Sequence, residues 1–450
     1  MRAQFGLSSY SRGRGDLPDL PVINMFADEA PTEEAGVALQ SRPGLVDRSA
    51  DMGTGSIAGL FQADGVLDGQ LFGVSAEVLY KGTDAIGSVG PGPVSWGGFA
   101  DKVFVTAGEA IATYDGATLS SVDFPDGQNV SAIVVGSSRL LAIAADSQTL
   151  YWSDPLTSTV DGLSFASAES SPDRLRDILY LDDAAILFGA ETVEFWPNTG
   201  DTDLPFAPLE GRVFERGIRN AGACCHIGGS FAWVTNDHQV CVSSEDNVIS
   251  NSGLQQRIAA SSECSLFRFT LEGNECIALR IDNETQVYSR RSGMWSQFQT
   301  YGMDNWVAQC WSGNVFGGSD GSTLEWGADH ADAGATGGIH ERRFRAGQVL
   351  NSGGLIVNNV GLRTNPGATP YLSGDYVEPL VEMRQSRDTG KTWGSWRAAS
   401  LGEQGDYRKG VGWRSCGMAS RPGWMAEFRL TGPVPFRVSD VLVNEPYGGR

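Results

Sequence analysis

The stretch Ala184–Trp196 reads AAILFGAETVEFW, which is an apolar strand, a short polar turn and a second strand that closes on an aromatic residue. The same pattern occurs at Leu71–Tyr80, Lys102–Tyr114, Arg139–Trp152, Ser230–Val242, Glu275–Tyr288 and Asn314–Trp326. Successive starts lie 31, 37, 45, 46, 45 and 39 residues apart. A period of roughly 40–50 residues is typical of one four-stranded propeller blade. The spacing therefore predicts a β-propeller of six or seven blades over residues 57–339, with unrelated hairpins of a β-sandwich array as the alternative.

The composition also indicates an all-β chain. The 450 residues include 58 glycines, 12 tryptophans and 20 phenylalanines, a mixture typical of many short strands joined by tight turns. Turn-forming pairs separate the two strands in several of the repeated units: Asp146-Ser147, Asn236-Asp237, Asp282-Asn283 and Asp320-Gly321. No run of residues approaches the eighteen or so apolar positions that a membrane-spanning helix needs, so we expect no membrane insertion.

Two regions flank the predicted propeller. Residues 1–56 are predicted to be an extended N-terminal leader, because Pro18, Pro21, Pro31 and Pro43 exclude a long helix. We expect the leader to cover the back of the propeller or to contact another subunit, and the propeller to fold without it. Residues 340–450 are predicted to form an antiparallel β domain of sandwich type, or an insertion plus a closing strand.

The charge is divided unevenly along the chain. Residues 1–339 hold 18 basic and 44 acidic side chains, a net charge of −26, whereas residues 340–450 hold 15 and 10, a net charge of +5. An acidic body argues against a direct grip on nucleic-acid phosphates. Arg342, Arg343 and Arg345 are expected either to face an acidic surface of a neighbouring molecule or to be solvated in a loop.

One segment matches the Asp-box pattern S-x-D-x-G-x-T-W in full, with Ser386, Asp388, Gly390, Thr392 and Trp393. In sialidase-like propellers this motif is a structural hairpin turn, even in the enzymes. A sialidase also needs an arginine cluster and a tyrosine nucleophile supported by a carboxylate, and the spacing of residues here assembles neither. The five residues are therefore predicted to be a structural turn, and we expect no catalytic residue.

The cysteines are the other candidate for chemistry. Seven cysteines, an odd number in a large chain, fit reduced thiols better than a disulfide framework. Cys224, Cys225 and His226 are adjacent, with Cys241 nearby, but neighbouring residues of a strand point to opposite faces and cannot easily bind one zinc ion. His340-Glu341 is not followed by a second histidine at zinc-binding spacing. We expect no metal and no cofactor.

Several stretches together resemble the packaged-DNA-stabilisation family, the tail-hub proteins of short-tailed, podovirus-type bacteriophages. The leader contains Leu20–Met25 (LPVINM) and then Pro43-Gly44, and an early strand ends in Leu79–Gly82 (LYKG). Ala185–Trp196 and the following Arg216–Ile218 also occur in the order found in the family.

The resemblance implies a structural protein of the virion tail, made in the host cytoplasm. It implies a homo-oligomeric ring, hexameric in the family, that lies below the portal and adaptor, retains packaged DNA and connects to the tail needle and to tailspikes or fibres. DNA would pass through its channel without sequence-specific binding. Two alternatives remain open: another propeller-type tail protein, such as a nozzle or a receptor-binding adhesin, and a sialidase-like propeller that binds or cleaves glycans.

Overall fold

Nearly all the regular structure consists of β-strands. The computed structural model describes residues 2–10, 19–30, 36–49, 51–168, 173–332, 338–349, 354–420 and 423–447. Within these ranges the helices are one α-helix, Ser252–Ala260, and two short 3₁₀ turns, Leu67–Gly69 and Pro125–Gly127. The Asn251 side chain caps the α-helix by accepting a hydrogen bond from the backbone nitrogen of Leu254 at 2.9 Å. No helix among the described residues is both long and apolar enough to span a bilayer.

Four-stranded antiparallel units follow one another along the chain, and we number them blades 1 to 7. Within the described residues there are six separate four-stranded sheets, and a seventh run of four strands lies within a larger sheet. Blade 1 consists of Ile57–Phe61, Phe72–Ser75, Val78–Lys81 and Asp84–Ser88. Blade 2 consists of Ser95–Phe99, Lys102–Thr106, Ala112–Tyr114 and Leu119–Ser121. Blade 3 consists of Val130–Gly136, Arg139–Ala144, Thr149–Ser153 and Val160–Ser167.

Blades 4 to 7 continue the pattern. Blade 4 consists of Leu175–Leu181, Ala184–Gly189, Val193–Pro197 and Val213–Phe214, and blade 5 of Cys224–Ile227, Ser230–Val234, Val240–Val242 and Ser244–Val248. Blade 6 consists of Cys264–Leu271, Asn274–Ile281, Glu284–Ser289 and Met294–Phe298. Blade 7 consists of Ala308–Ser312, Val315–Gly318, Thr323–Trp326 and Leu45–Ser49. The last blade thus takes its fourth strand from near the N-terminus.

The blades close into a ring. The first strand of each of blades 2 to 6 contacts the first strand of the following blade, and that of blade 7 contacts blade 1. Blades 1 and 2 meet through the stacked rings of Phe61 and Trp96, whose centroids are 5.7 Å apart. The blades approach closely: a Cβ at Gly136 of blade 3 would lie 2.2 Å from the Tyr180 ring of blade 4. The predicted all-β propeller is confirmed, with seven blades in the described structure.

The fourth strand of blade 7 comes from the opposite end of the propeller sequence to its other three strands. Leu45–Ser49 pairs antiparallel with Thr323–Trp326, with Leu45 opposite Trp326 and Val46 opposite Glu325. Leu45 is fully buried among aromatic side chains of blades 6 and 7. This pairing fixes the segment that precedes blade 1 to blade 7, and so holds the two ends of the ring together.

The C-terminal region is an antiparallel sandwich. One sheet contains Arg397–Ser400, Leu380–Ser386, Gly423–Leu430 and Arg342–Val349, and the other contains Val411–Ala419, Leu355–Thr364 and Arg437–Val443. The two sheets share a single apolar core that includes Phe344, Val360, Trp413, Phe428 and Val441. A two-stranded ribbon, Ala331–Asp332 with Gly338–Ile339, lies between the propeller and the sandwich in sequence.

The leader belongs to both halves of the molecule. Met25–Glu29 and Val37–Ser41 extend the second sheet of the sandwich, and Arg2–Phe5 pairs with strands of both sheets. Val22–Ile23 lies between Met294–Phe298 of blade 6 and Arg342–Val349 of the sandwich. The structure therefore argues against the expectation that the propeller folds without the leader, because the leader supplies a blade strand and part of the sandwich core. The boundaries at residues 56 and 339 stay a prediction.

Candidate functional site

The Asp-box residues form a closed network of hydrogen bonds in the hairpin that follows Leu380–Ser386. Asp388 accepts from the Ser386 hydroxyl at 2.6 Å, from the Thr392 backbone nitrogen at 2.8 Å and from the Thr392 hydroxyl at 2.6 Å. The Ser386 hydroxyl accepts from the Gly390 backbone nitrogen at 2.8 Å, and Gly390 has a φ of +93°. These hydrogen bonds hold the pKa of Asp388 well below its usual range. The side-chain oxygens of Ser386, Asp388 and Thr392 are thus used within the turn itself.

Trp393, the last residue of the motif, lies in a ladder of alternating arginine and tryptophan side chains. The guanidinium carbons of Arg345 and Arg384 lie 4.8 and 5.0 Å from the centroid of its ring. Arg384 also stacks on Trp396, at 4.6 Å. Contacts of this type are worth about 0.5–2 kcal/mol each. The ladder fastens the hairpin to the first sheet of the sandwich.

The arginines of this ladder are already paired. The buried carboxylate of Glu427 accepts hydrogen bonds from Arg345, at 2.7 Å, and from Arg384. Arg429, which stacks on Trp396, donates to Glu382 at 2.7 Å. The structure does assemble three arginines, but each faces a carboxylate of this chain rather than an open cleft. The Asp box also lies in the sandwich and not in a propeller blade.

The cysteine cluster is buried and unsuited to metal binding. Cys224 and Cys225 lie side by side in the first strand of blade 5, each 8% exposed. Burial raises the pKa of Cys225 to about 12 and that of Cys224 well above its usual value, so both remain protonated thiols. All seven cysteines are buried, and in the described parts of the chain no group of three or more His, Cys, Asp or Glu side chains is arranged to hold a metal ion.

A cluster of buried charges lies where the leader, the propeller and the sandwich meet. Arg42 and Asp332 form an ion pair of 2.7 Å with no exposed side-chain surface on either partner. His340 Nδ1 lies 3.5 Å from Asp332 Oδ2, and His330 Nδ1 lies 2.7 Å from the carbonyl oxygen of Arg42. Arg342 is fully buried beside them. Sequence reasoning missed this cluster, because Arg42 is 290 residues away from Asp332 in sequence.

The expectation that Arg342, Arg343 and Arg345 face a partner or solvate a loop is wrong for Arg342 and incomplete for the other two. Arg342 has no exposed surface. Its guanidinium group donates to the carbonyl oxygens of His340, at 2.6 Å, of Gly432, and of Val434, at 3.1 Å. Arg343 pairs with Glu341 at 3.3 Å, and Arg345 pairs with Glu427. All three lie in the strand Arg342–Val349, in which neighbouring residues point to opposite faces, so Arg343 and Arg345 lie on the face opposite Arg342.

Several solved structures are similar to this chain at low sequence identity. The computationally designed Ika8 protein is 12% identical, with a TM-score of 0.39, and the match covers 72% of this chain and 98% of that chain. PorZ of Porphyromonas gingivalis is 13% identical, with a TM-score of 0.37, and the match covers 71% of this chain and 45% of that chain. BamB from Moraxella catarrhalis is 13% identical, with a TM-score of 0.34 over 68% of this chain and 94% of that chain. No curated protein matches the chain.

The family comparison is more specific. The family model described as "Bacteriophage P22 Gp10, beta-propeller" matches residues 4–315, which include most of the leader, blades 1 to 6 and the first strand of blade 7. The family consists of phage structural proteins and is not a known enzyme family, which makes the chain a virion component that assembles with other virion proteins in a tail-associated role. This chain belongs to the bacteriophage P22 Gp10 β-propeller family.

Proposed function

We propose that this chain is a ring-forming subunit of a phage tail hub. In this role six copies surround the channel below the portal and adaptor, retain the packaged DNA, and carry the tail needle and tailspikes or fibres. The observation that carries the proposal is the family match over residues 4–315.

The charge of the propeller is consistent with this role. Residues 1–339 carry a net charge of −26, and an acidic wall repels the DNA backbone, so that DNA passes without adhering. A rigid seven-bladed ring also presents loops on both rims for other proteins. No catalysis is required of the chain. The Asp box, which would favour a glycan-processing role, is satisfied internally and lies outside the propeller.

The test is whether copies of the chain form a ring in the assembled particle, and where in the tail that ring lies. Electron cryomicroscopy of virion tails that contain this chain should show a ring of copies between the portal region and the distal tail. Density for a trimeric fibre or a distal receptor-binding tip would instead identify a nozzle or an adhesin. A purified chain that stays monomeric and hydrolyses sialosides would contradict the structural role.

A further inference from the structure

The outer edge of blades 3 and 4 exposes an unusual number of large apolar side chains. Leu156, Leu163, Phe165, Leu204 and Leu209 are between 41% and 87% exposed, with Leu163 the most exposed. Contiguous exposed apolar surface of this kind marks interaction sites in soluble proteins. Carboxylates on the same edges accompany these side chains. We call this surface the acidic rim.

Acidic residues surround the apolar side chains of the rim. Asp154, Asp161, Asp183 and Asp201 are all exposed along it. In the described part of residues 154–212, the basic residues are Arg174, which is paired with Asp146, Arg176, which donates to the carbonyl oxygen of Ile218, and the exposed Arg212, which lies 4.3 Å from the centroid of the Phe195 ring. The exposed carboxylates of the rim outnumber these arginines. The rim is therefore apolar and negative together.

Hydrogen bonds across the two blades connect the loops that carry Leu156 and Leu204. The backbone nitrogen of Leu156 donates to the turn Ser137–Ser138 at 2.7 Å, and the Ser137 hydroxyl donates to Asp183 at 2.6 Å. Asn198 donates to the same serine hydroxyl at 2.9 Å. The loop 199–205, which carries Leu204, is held against Asn198 by a bridge and by its own hydrogen bonds. Leu156 and Leu204 thus belong to one hydrogen-bonded unit.

Leu163 is held outward by the backbone. Val160 pairs with Ser153 and Phe165 pairs with Tyr151, so four residues of the outer strand bulge opposite a single residue of its neighbour. The Asp161 carboxylate accepts the Leu163 backbone nitrogen at 2.9 Å and fixes the bulge. An apolar side chain presented rigidly in this way has the properties of an interface anchor.

The sandwich exposes a matching surface of opposite charge, which we call the basic face. Ile356 and Met418 are direct cross-strand neighbours, 61% and 62% exposed. Beside them is a cavity of about 500 Å³ whose described lining includes Arg414, Ser415 and no carboxylate. The guanidinium of Arg387, which is exposed, lies against Gly417 at the same strand bulge.

The basic face combines charged and apolar groups. Arg387 and Arg414 are exposed beside the apolar pair Ile356 and Met418. Apolar anchors and exposed arginines thus occur together on one side of the sandwich.

We propose that the acidic rim of one copy docks on the basic face of the next copy. The inference rests on the proposed homomeric ring and names the two surfaces that form it. Opposite charges favour this pairing, and rim-to-rim contact would bring carboxylates together. Because the two surfaces differ and lie on separate parts of one chain, the contact is head-to-tail, which is the type of contact that generates closed rings.

The experiment uses one disabled surface at a time. Leu163→Glu disables the rim and Met418→Glu disables the basic face, while Leu372→Glu, at a residue 81% exposed elsewhere on the sandwich, is the matched control. Sedimentation velocity should show about tenfold or greater weakening of association for each of the first two variants, because each places a charge at an anchor. The control should assemble like the wild type. Unchanged melting temperatures will show that all three variants fold.

A mixture of the two disabled variants decides the arrangement. Each still has one intact surface, so an equimolar mixture at high concentration should form one-to-one dimers and stop there. Assembly of either variant alone at wild-type strength, or a mixture without dimers, would overturn the surface assignment while leaving the ring in place. A wild-type chain that remains monomeric at every concentration would instead overturn the homomeric ring itself, and this pairing with it.

Discussion

Arg42 and Asp332, which are 290 residues apart in sequence, form a two-pronged ion pair with no solvent-exposed side-chain surface. Both guanidinium nitrogens donate to the carboxylate, at 2.8 and 2.7 Å, and Asp332 also accepts the backbone nitrogen of Leu45 at 3.0 Å. The pair therefore holds the residue that begins the closing strand of blade 7. Breaking a buried pair of this kind by removing one partner costs about 3–5 kcal/mol.

The histidines beside this pair predict acid sensitivity of the joint. Burial, with Arg342 and Arg42 nearby, lowers the pKa of His330 to about 4, and burial with the same arginines holds the pKa of His340 well below its usual range. The carboxylates near the two histidines are Asp332, which lies 3.5 Å from His340, and Asp329, which acts on His330; Glu341 acts on the neighbouring Arg342. Because the folded pKa is the lower one, the unfolded chain binds protons first as the pH falls. Stability should therefore decline between about pH 6.5 and pH 4, by about 3 kcal/mol for His330 alone.

Melting temperatures measured between pH 7 and pH 4 test this prediction. His330→Gln removes one titrating group and should flatten the curve relative to the wild type. A curve as steep in His330→Gln as in the wild type would show that the acid sensitivity arises elsewhere.

The closing strand should be essential for folding. Leu45→Ala removes a fully buried side chain and is expected to lower the free energy of unfolding by about 2–5 kcal/mol. Leu372→Ala, the same change at an exposed position, should have little effect. A chain that begins at residue 51 lacks the outer strand of blade 7 and should aggregate on expression. Denaturant titration measures the free energy of unfolding of Leu45→Ala and Leu372→Ala. A chain that begins at residue 51 and is nevertheless soluble and cooperatively folded would contradict the prediction.

The Asp box is expected to contribute to stability and not to catalysis. Asp388→Ala removes the acceptor of three hydrogen bonds within the turn and should lower the melting temperature. Asp388→Asn keeps one acceptor oxygen and should lower it less. Sialoside turnover should be undetectable for all three proteins. Wild-type turnover that disappears in Asp388→Ala would show that the motif has a catalytic role.

The thiols should be free of disulfides and of metal. Because burial raises the pKa of Cys225, Cys276 and Cys310 to about 12, these residues should react slowly with thiol reagents in the native protein. After denaturation, all seven cysteines should react without prior reduction. Mass spectrometry that shows a stoichiometric disulfide or bound zinc would contradict this.

Local patterns predicted the strands well, because alternation and turn chemistry are properties of neighbouring residues. The unit predicted over Ala184–Trp196 occurs as the strands Ala184–Gly189 and Val193–Pro197, and the unit predicted over Lys102–Tyr114 occurs as Lys102–Thr106 and Ala112–Tyr114. Asp146 and Asp282, predicted turn residues, have φ values of +54° and +44°. The Asp box was predictable for the same reason, since its hydrogen bonds join residues two to four positions apart.

Long-range pairings were not predictable from these patterns. Nothing in Leu45–Ser49 indicates that it completes a sheet with Thr323–Trp326. The arginine–tryptophan ladder depends on the register of three strands, which places Arg345 and Arg384 on opposite sides of Glu427. A buried ion pair likewise has no local signature, because each partner alone resembles a surface residue.

The pairing of Leu45–Ser49 with Thr323–Trp326 also determines when the protein can be finished during its synthesis. The ribosome makes the closing strand first and its partner some 280 residues later, so the ring stays open until blade 7 has emerged. The leader strands Arg2–Phe5 and Val37–Ser41 can pair with Arg437–Val443 only after that last strand has been synthesised. Pairing across such sequence distances is slow. A chain that stops before blade 7 therefore cannot close the propeller, and a chain that stops before Arg437–Val443 leaves the leader strands of the sandwich without their partner.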